Sequence, residues 1–252
     1  MSFELTGKLA LVTGCRRGIG LAMAEALAAA GADVVGSSLN LDPGDSDVRS
    51  RVEAHGRTFA AYRADLGSET GAKDLAAAVL ADGLAVDILV NNAGTIARAP
   101  ALDHGDEQWQ RVVQTNLTSP FVLARELGRP MVERGRGKII FTASMLSFQG
   151  GINVVSYAAA KSGVAGLVRA LANEWAPHGV NVNAIAPGYV ATDNTQPLRA
   201  DPERSRAILE RIPAGRWGEP ADVAGATVFL ASPASDYMHG VILPVDGGWL
   251  GR

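Results

Sequence analysis

The chain has 252 residues, of which 47% are hydrophobic and 19% charged, and its formal net charge at pH 7 is −3. These values predict a globular protein long enough for one large α/β domain or two small ones, and the mildly acidic balance argues against nucleic acid and anionic membranes as partners. No linker, repeat or low-complexity segment divides the chain, so a single domain over residues 1–252 is predicted. The single cysteine excludes an internal disulfide, while four scattered histidines and the lack of a roughly 20-residue apolar run predict a cytoplasmic protein without a metal centre.

Short apolar runs alternate with segments of helical periodicity along the chain. Strands are predicted at 9–13, 33–38, 59–64, 88–90, 138–143, 181–186 and 241–245. Helices are predicted at 21–30, 45–54, 69–81, 107–133, 154–175 and 220–231, and residues 189–216 are predicted to be irregular. Strict alternation of strands and helices predicts a parallel sheet covered by helices, with right-handed crossovers.

A glycine-rich turn follows the first predicted strand and opens the first helix. Its glycines are spaced Gly14-x-x-x-Gly18-x-Gly20. Glycines in this place allow a tight turn and let backbone N–H groups at a helix start approach a pyrophosphate. The turn therefore predicts a dinucleotide site, and the alternative is a turn that only packs the helix on the strand.

The end of the second strand bears on the choice between NAD and NADP. An enzyme that prefers NAD usually has a carboxylate there, which accepts a hydrogen bond from the ribose 2′-OH. This chain has small polar residues instead, namely Ser37, Ser38 and Asn40. These residues leave room for a 2′-phosphate, and Arg16 and Arg17 supply a counter-charge. NADP is therefore favoured, although Asp42 would favour NAD if it reached the ribose.

Three residues form a candidate reaction centre in the second half of the chain. Tyr157 and Lys161 lie one helical turn apart, and Ser144 precedes Tyr157 by thirteen positions. A free phenol with a pKa of about 10 is protonated at neutral pH, and a nearby ammonium group lowers that pKa. Tyr157 is therefore predicted to be the acid/base and Ser144 to hold the substrate oxygen. Ser147 is an alternative to Ser144 in the same loop.

The order of the motifs resembles the short-chain dehydrogenase/reductase family over nearly the whole chain. The matching elements are TGxxxGIG at 13–20, NNAG at 91–94, Asn116, Ser144, Tyr157-x-x-x-Lys161 and Pro187-Gly188. The resemblance implies a single-domain Rossmann-type, doubly wound, seven-stranded parallel sheet and a homotetramer. It also implies that Lys161 binds the nicotinamide ribose and that Asn116 binds a water linking Lys161 to solvent.

The glycine turn, the second-strand end and the resemblance together define the expected cofactor site. Its residues are Gly14, Arg16, Arg17, Gly18, Ile19, Gly20, Ser37, Ser38, Asp65, Leu66, Asn91, Ala93, Gly94, Tyr157, Lys161, Pro187, Gly188, Val190 and Thr192. For Asp65, capping of the next helix is an alternative role.

A narrower resemblance is to the branch of the family that acts on sugar acids of the gluconate, 2-deoxygluconate or 2-dehydro-3-deoxygluconate type. It is carried by SMLSFQGG at 144–151, RIPAGRWGEP at 211–220 and VDGGWL at 245–250. For such a substrate, Gln149 is a candidate for a hydroxyl, and Arg98 and Arg216 are candidates for the carboxylate. Residues 189–216 are the expected lid segment.

Two other functions stay open at the level of sequence. One is a reductase of the same family with a 3-oxoacyl thioester, steroid or polyol as substrate. The other is a non-catalytic regulator that binds NAD(P), which the presence of Asn116, Ser144, Tyr157 and Lys161 together disfavours.

Overall fold

Seven β-strands form one sheet, in which the strand order is β3-β2-β1-β4-β5-β6-β7 and every neighbouring pair is parallel. The computed structural model describes residues 2–44 and 46–252. The strands are β1 (Leu9–Thr13), β2 (Asp33–Ser38), β3 (Phe59–Arg63), β4 (Ile88–Asn91), β5 (Gly137–Thr142), β6 (Val180–Pro187) and β7 (Ile242–Val245). The predicted seven-stranded parallel sheet is confirmed.

Helices cover both faces of this sheet. They are α1 (Gly18–Ala29), α2 (Asp47–Ala54), α3 (Gly71–Ala81), α4 (Asp106–Val113), α5 (Ser119–Glu133), α6 (Val155–Trp175), α7 (Gln196–Ala200), α8 (Pro202–Arg211) and α9 (Pro220–Ala231). Alternate residues of a strand point to opposite faces. Leu11 and Leu89 therefore pack on the side of α3, α5 and α6, whereas Val12 and Val90 pack on the side of α1, α2 and α9. The fold is doubly wound, as predicted.

The first βαβ unit follows directly from its sequence. The strands β1 and β2 have the predicted bounds because each is an apolar run that a glycine or polar residue ends. Gly31 ends α1 with a φ of +104°, and the N–H groups of Gly31 and Ala32 donate to the carbonyl oxygens of Ala28 and Leu27. This pair of hydrogen bonds forms a Schellman cap, which requires a residue in the left-handed conformation after the helix.

Two helices of the structure differ from their predictions, one at its start and one in its interior. The helix predicted at 45–54 runs from Asp47 to Ala54, with Ser46 as its N-cap; Asp45 lies outside the described residues. The single helix predicted at 107–133 is interrupted by a π-helical turn, Gln114–Thr118, between α4 and α5. The wider turn is a local change of hydrogen-bond register, which apolar periodicity does not reveal.

The lid segment (residues 189–216) is more regular than predicted, because it contains α7 and α8. Asp201 caps α8 by accepting the N–H groups of Glu203 and Arg204, and Pro202 occupies the first helical position. Only Ile208 of α8 is buried, so the helix lacks the wide apolar face that marks a helix in a sequence. The prediction of an irregular segment was wrong there.

Within residues 2–44 and 46–252, no helix combines the length and the apolar content that crossing a membrane requires.

Candidate active site

A cleft of about 690 Å³ opens at the carboxyl ends of the strands. The residues that line it follow β1, β2, β3, β4, β5 and β6 in the chain. The strand order reverses between β1 and β4, and ligands of open α/β sheets bind at such a reversal. The cleft therefore lies where the topology of the fold places a ligand.

The glycine turn forms one wall of the cleft. Gly14 has a φ of +68°, and a Cβ atom on Gly20 would lie 2.2 Å from the carbonyl oxygen of Gly14. Helix α1 begins at Gly18, and its N-cap, Arg17, makes no side-chain capping bond. The first N–H groups of α1 therefore stand at the cleft wall without a side-chain cap, in an arrangement suited to phosphate oxygens.

The end of β2 offers hydroxyl groups to the cleft and no carboxylate. Ser37 is buried, and its hydroxyl has no hydrogen-bond partner among the described residues. The Ser38 hydroxyl accepts the N–H of Arg16 at 3.3 Å. Asp42 accepts the N–H of Gly44 at 2.8 Å and is not among the residues that line the cleft. A buried hydroxyl without a partner fits a ligand group at this position.

Asp65 and Leu66, two residues of the expected cofactor site, also line the cleft. The Asp65 carboxylate accepts the N–H of Gly67 at 2.8 Å. Helix α3 starts later, with Thr70 as its N-cap. Asp65 therefore shapes the turn after β3 and does not cap α3.

Asn92, the second asparagine of the NNAG motif, lines the cleft, and Asn91 does not. The Asn92 amide donates to the carbonyl oxygen of Thr13 at 3.0 Å and accepts the Thr142 hydroxyl at 3.3 Å. It thereby ties β1, β4 and β5 together below the cleft. Asn91 is the last residue of β4 and is buried. Neighbouring residues of an extended strand point in opposite directions, so the side chain of Asn91 points away from the side on which Asn92 meets the cleft. Sequence reasoning missed Asn92, although it stands in the same motif.

Ser144, Tyr157 and Lys161 line the same part of the cleft. The Lys161 Nζ atom lies 5.6 Å from the centre of the Tyr157 ring and donates to the carbonyl oxygen of Thr142 at 2.5 Å. The Ser144 hydroxyl accepts the N–H of Leu146 at 3.2 Å. That bond uses the oxygen as acceptor, and the Ser144 side chain also hydrogen-bonds to Tyr157. Ser144 and Tyr157 can therefore present their hydroxyl groups to one substrate oxygen.

Ser147 has a different task in the loop. Its hydroxyl donates to the carbonyl oxygen of Lys161 at 2.6 Å and accepts the N–H of Ser144 at 3.3 Å. It is not among the residues that line the cleft. Of the two serines, the geometry therefore presents Ser144 to a ligand and uses Ser147 to position Ser144 and Lys161.

Burial dominates the protonation of the site. Burial raises the pKa of Tyr157 above its ordinary value, while the Ser144 side chain and the positive charge of Arg98 lower it in part. Burial also lowers the pKa of Lys161 to about 8. Tyr157 is thus a protonated phenol at neutral pH, which is the form that donates to a ketone oxygen. Arg98, which sequence reasoning considered only for the substrate, is thus a cation that acts on the pKa of Tyr157.

Asn116 lies at the centre of the π-helical turn and is buried. Its amide nitrogen donates to the carbonyl oxygens of Thr95 and Val112, both at 2.8 Å, and its oxygen accepts the N–H of Thr95 at 3.3 Å. The side chain therefore fastens the loop after β4 to the helix. A Cβ atom on Gly94 would lie 2.7 Å from the Asn116 oxygen, so this loop passes close to Asn116 only because Gly94 has no side chain.

The three predicted substrate residues have different surroundings. The Arg98 guanidinium donates to the carbonyl oxygen of Asn194 at 2.8 Å, and its charge acts on Tyr157. Arg216 is away from the cleft lining and makes two bonds to Asp222, at 2.7 and 2.8 Å. Gln149 lines a second cavity, of about 580 Å³, instead of the cleft. None of the three lines the cleft, but Arg98 is the one whose charge acts on Tyr157, and Arg216 instead fixes the start of α9.

The remaining wall consists of Pro187 and Gly188 at the end of β6 and of Val190 and Thr192 at the start of the lid segment. A Cβ atom on Gly188 would lie 2.5 Å from the Cα of Asp246, so this turn depends on glycine. Asp193 forms an ion pair with Arg17 across the cleft. The glycine turn and the lid segment are thus joined directly.

Comparisons with known proteins agree with this geometry. The family model described as enoyl-(acyl carrier protein) reductase matches residues 14–250. A curated 2-dehydro-3-deoxy-D-gluconate 5-dehydrogenase from Pseudoalteromonas atlantica is 58% identical over 250 residues, which are 99% of this chain and 98% of the relative.

Two solved structures superpose closely on the whole chain. A protein from Beutenbergia cavernae with NADP bound at low occupancy is 50% identical, with 100% of both chains covered and a TM-score of 0.95. A gluconate 5-dehydrogenase from Burkholderia cenocepacia in complex with NADP and tartrate is 36% identical, covers 100% of this chain and 98% of its own, and has a TM-score of 0.94.

Proposed function

The chain belongs to the short-chain dehydrogenase/reductase family, and we propose that it interconverts a secondary alcohol and a ketone on a sugar acid, with NADP as the preferred cofactor. The observation that carries this proposal is that Tyr157, Lys161 and Ser144 line one cleft with the glycine turn, and that the positive charge of Arg98 acts on Tyr157. The names of relatives that act on gluconate derivatives support the choice of a sugar acid.

The residues of the cleft fit a dinucleotide. The glycine turn would hold the pyrophosphate, because a side chain at Gly20 would fill the space beside Gly14 and because the N–H groups of α1 are free of a side-chain cap. The Ser37 hydroxyl would meet the adenosine ribose. The lack of a carboxylate at the end of β2, together with Arg16 and Arg17, favours a 2′-phosphate over a 2′-OH. Structures of relatives with bound NADP support the same preference.

The proposed mechanism assigns one task to each residue. When bound, the nicotinamide supplies or accepts the hydride. In the direction of ketone reduction, the Tyr157 phenol donates its proton to the carbonyl oxygen, and in alcohol oxidation its phenolate takes the hydroxyl proton. Ser144 donates a hydrogen bond to the same oxygen and stabilises the charge that develops there. Lys161 binds the ribose hydroxyls, and Asn116 holds the loop after β4 against the site.

Arg98 is the proposed partner of the substrate carboxylate. Its guanidinium is exposed, contacts the lid segment at Asn194, and carries a charge that partly lowers the pKa of the Tyr157 phenol. This placement fits a sugar acid better than a steroid or an acyl thioester.

An absorbance assay at 340 nm tests the proposed function. We expect turnover with gluconate-type acids or their keto forms, a lower KM for NADP than for NAD, and little turnover with acetoacetyl thioesters, steroids or neutral polyols. Turnover with a thioester or steroid alone would instead make the protein a reductase of another substrate class. Binding of NADP without turnover of any substrate would favour a regulator.

Substitution of Arg98 separates carboxylate binding from catalysis. We expect Arg98→Ala to raise the KM for the sugar acid about tenfold or more, because a charge-assisted hydrogen bond contributes roughly 1.5–3 kcal/mol. Arg216→Ala is the matched control, since Arg216 is paired with Asp222 outside the cleft. Equal changes of KM in the two variants would contradict the assignment.

The lid function, the assembly and the location of the protein are also proposals. Contacts from Arg17 and Arg98 to residues 193–194 support a lid role for residues 189–216. A homotetramer is supported by large apolar side chains that are exposed on the single chain, among them Leu102, Phe148 and Ile152. The buried cysteine, Cys15, is compatible with the cytoplasm.

A further inference from the structure

The ion pair between Arg17 and Asp193 joins two segments that both line the cleft. Arg17 belongs to the glycine turn, and Asp193 stands in the short turn after β6. Their side chains are 63% and 67% exposed. Solvent therefore reaches both partners, and the pair is of the weak, exchangeable kind.

The neighbouring arginine has no such partner. The Arg16 guanidinium makes no hydrogen bond or ion pair with the part of the chain that the structure describes, and its backbone N–H donates to Ser38 at the end of β2. Two adjacent cations thus stand at the rim of the cleft. One of them is already bound to a carboxylate, and the other is not.

A carboxylate bound to Arg17 affects the two cofactors differently. The 2′-phosphate of NADP is an anion, as is the Asp193 carboxylate. It therefore competes with Asp193 for the Arg17 guanidinium and is repelled by the negative charge of Asp193. The 2′-OH of NAD carries no charge, so it neither competes for Arg17 nor is repelled. Asp193 therefore weakens the binding of NADP without an equal effect on NAD.

On the basis of the proposed cofactor site, we propose that Asp193 is a specificity-determining residue that competes with the 2′-phosphate for Arg17. The preference for NADP is accordingly smaller than two unpaired arginines would give. Asp193 acts on cofactor choice through Arg17, and it has no part in the chemistry at Tyr157.

The lid segment does not depend on this ion pair for its position. The Thr195 hydroxyl donates to the carbonyl oxygen of Val190 at 2.6 Å, and Arg98 donates to the carbonyl oxygen of Asn194 at 2.8 Å. These bonds remain when Arg17 turns to another anion. A change at Asp193 should therefore alter the discrimination between cofactors and leave the lid in place.

The test is the dissociation constant of NADP and of NAD, measured by isothermal titration calorimetry on the full chain without substrate. We expect Asp193→Asn to lower the Kd for NADP roughly threefold, a factor in the range of an exposed ion pair, and to change the Kd for NAD by less than about 1.5-fold. Asp193→Ala should act in the same direction. Glu203→Gln, which removes a charge from α8 outside the cleft lining, is the matched control and should change neither value.

Combination with Arg17→Ala completes the cycle. Arg17→Ala alone should raise the Kd for NADP about tenfold. Asp193→Asn added to Arg17→Ala should then have almost no further effect on that Kd. An unchanged ratio of the two Kd values in Asp193→Asn, or a full threefold gain that persists without Arg17, would overturn the proposal. If the wild-type chain binds NAD more tightly than NADP, the proposed cofactor preference itself fails, which is a separate result.

Discussion

Replacement of Tyr157 by phenylalanine is expected to lower kcat for sugar-acid turnover about a thousandfold, within the range of 10²–10⁴ that a positioned acid/base contributes. The change removes one hydroxyl and leaves the ring beside Lys161, whose Nζ atom is 5.6 Å from the ring centre. The Kd for NADP should therefore stay within about twofold of wild type. Steady-state kinetics and calorimetry on the same preparation measure both quantities.

Tyr62→Phe is the matched control for this prediction. Tyr62 lies on β3, away from the cleft lining, and its hydroxyl bonds to Asp82 on the surface. That variant should keep the wild-type kcat. Retention of more than a few per cent of turnover by Tyr157→Phe would remove Tyr157 from the acid/base role, and Ser144 or a bound water would then have to carry the proton.

Gly20→Ala is expected to destabilise the fold strongly and to abolish cofactor binding. The added methyl group would lie 2.2 Å from the carbonyl oxygen of Gly14 and 2.4 Å from the amide nitrogen of Asn92. Neither atom can move away freely, because Asn92 is bonded to β1 and β5. We expect a loss of about 3 kcal/mol or more, seen as a fall in Tm of roughly 6–12 °C.

The control for this substitution is Gly225→Ala in α9. Apart from its chain neighbours and the backbone of its own helix, no atom of the described residues lies within 4 Å of the position that its Cβ would take. Alanine is a better helix former than glycine, so this variant should gain about 0.5–1 kcal/mol. If Gly20→Ala instead melted within about 1 °C of wild type and bound NADP normally, the close approach of the turn to Gly14 would not limit the cleft.

The parts of the fold that the sequence predicts well are those set by local patterns. The strands β1 and β2 are runs of buried apolar residues with sharp ends, and Gly31 is the left-handed residue that ends α1. The order of Ser144, Tyr157 and Lys161 likewise places them together, since a strand end and a helix start meet at one edge of the sheet.

The parts that escaped prediction depend on contacts distant in sequence. Arg98 and Arg216 look alike as candidate cations, and only the fold pairs Arg216 with Asp222 and brings Arg98 to Tyr157. The helices α7 and α8 bury little, so their periodicity is weak, although Asp201 followed by Pro202 is a start signal that could have been used.

The π-helical turn that carries Asn116 makes the number of residues between α4 and α5 important for the site. A π-helical turn accommodates one residue more than an α-helix of the same rise, and here the side chains of Thr115 and Asn116 take up the carbonyl oxygens of Arg111 and Val112. Deletion of a single residue between α4 and α5 would allow one continuous helix and keep both apolar faces in register. Asn116 would then no longer be positioned to bond the loop after β4. The additional residue of the π-helical turn is therefore needed for the position of Asn116 in the site.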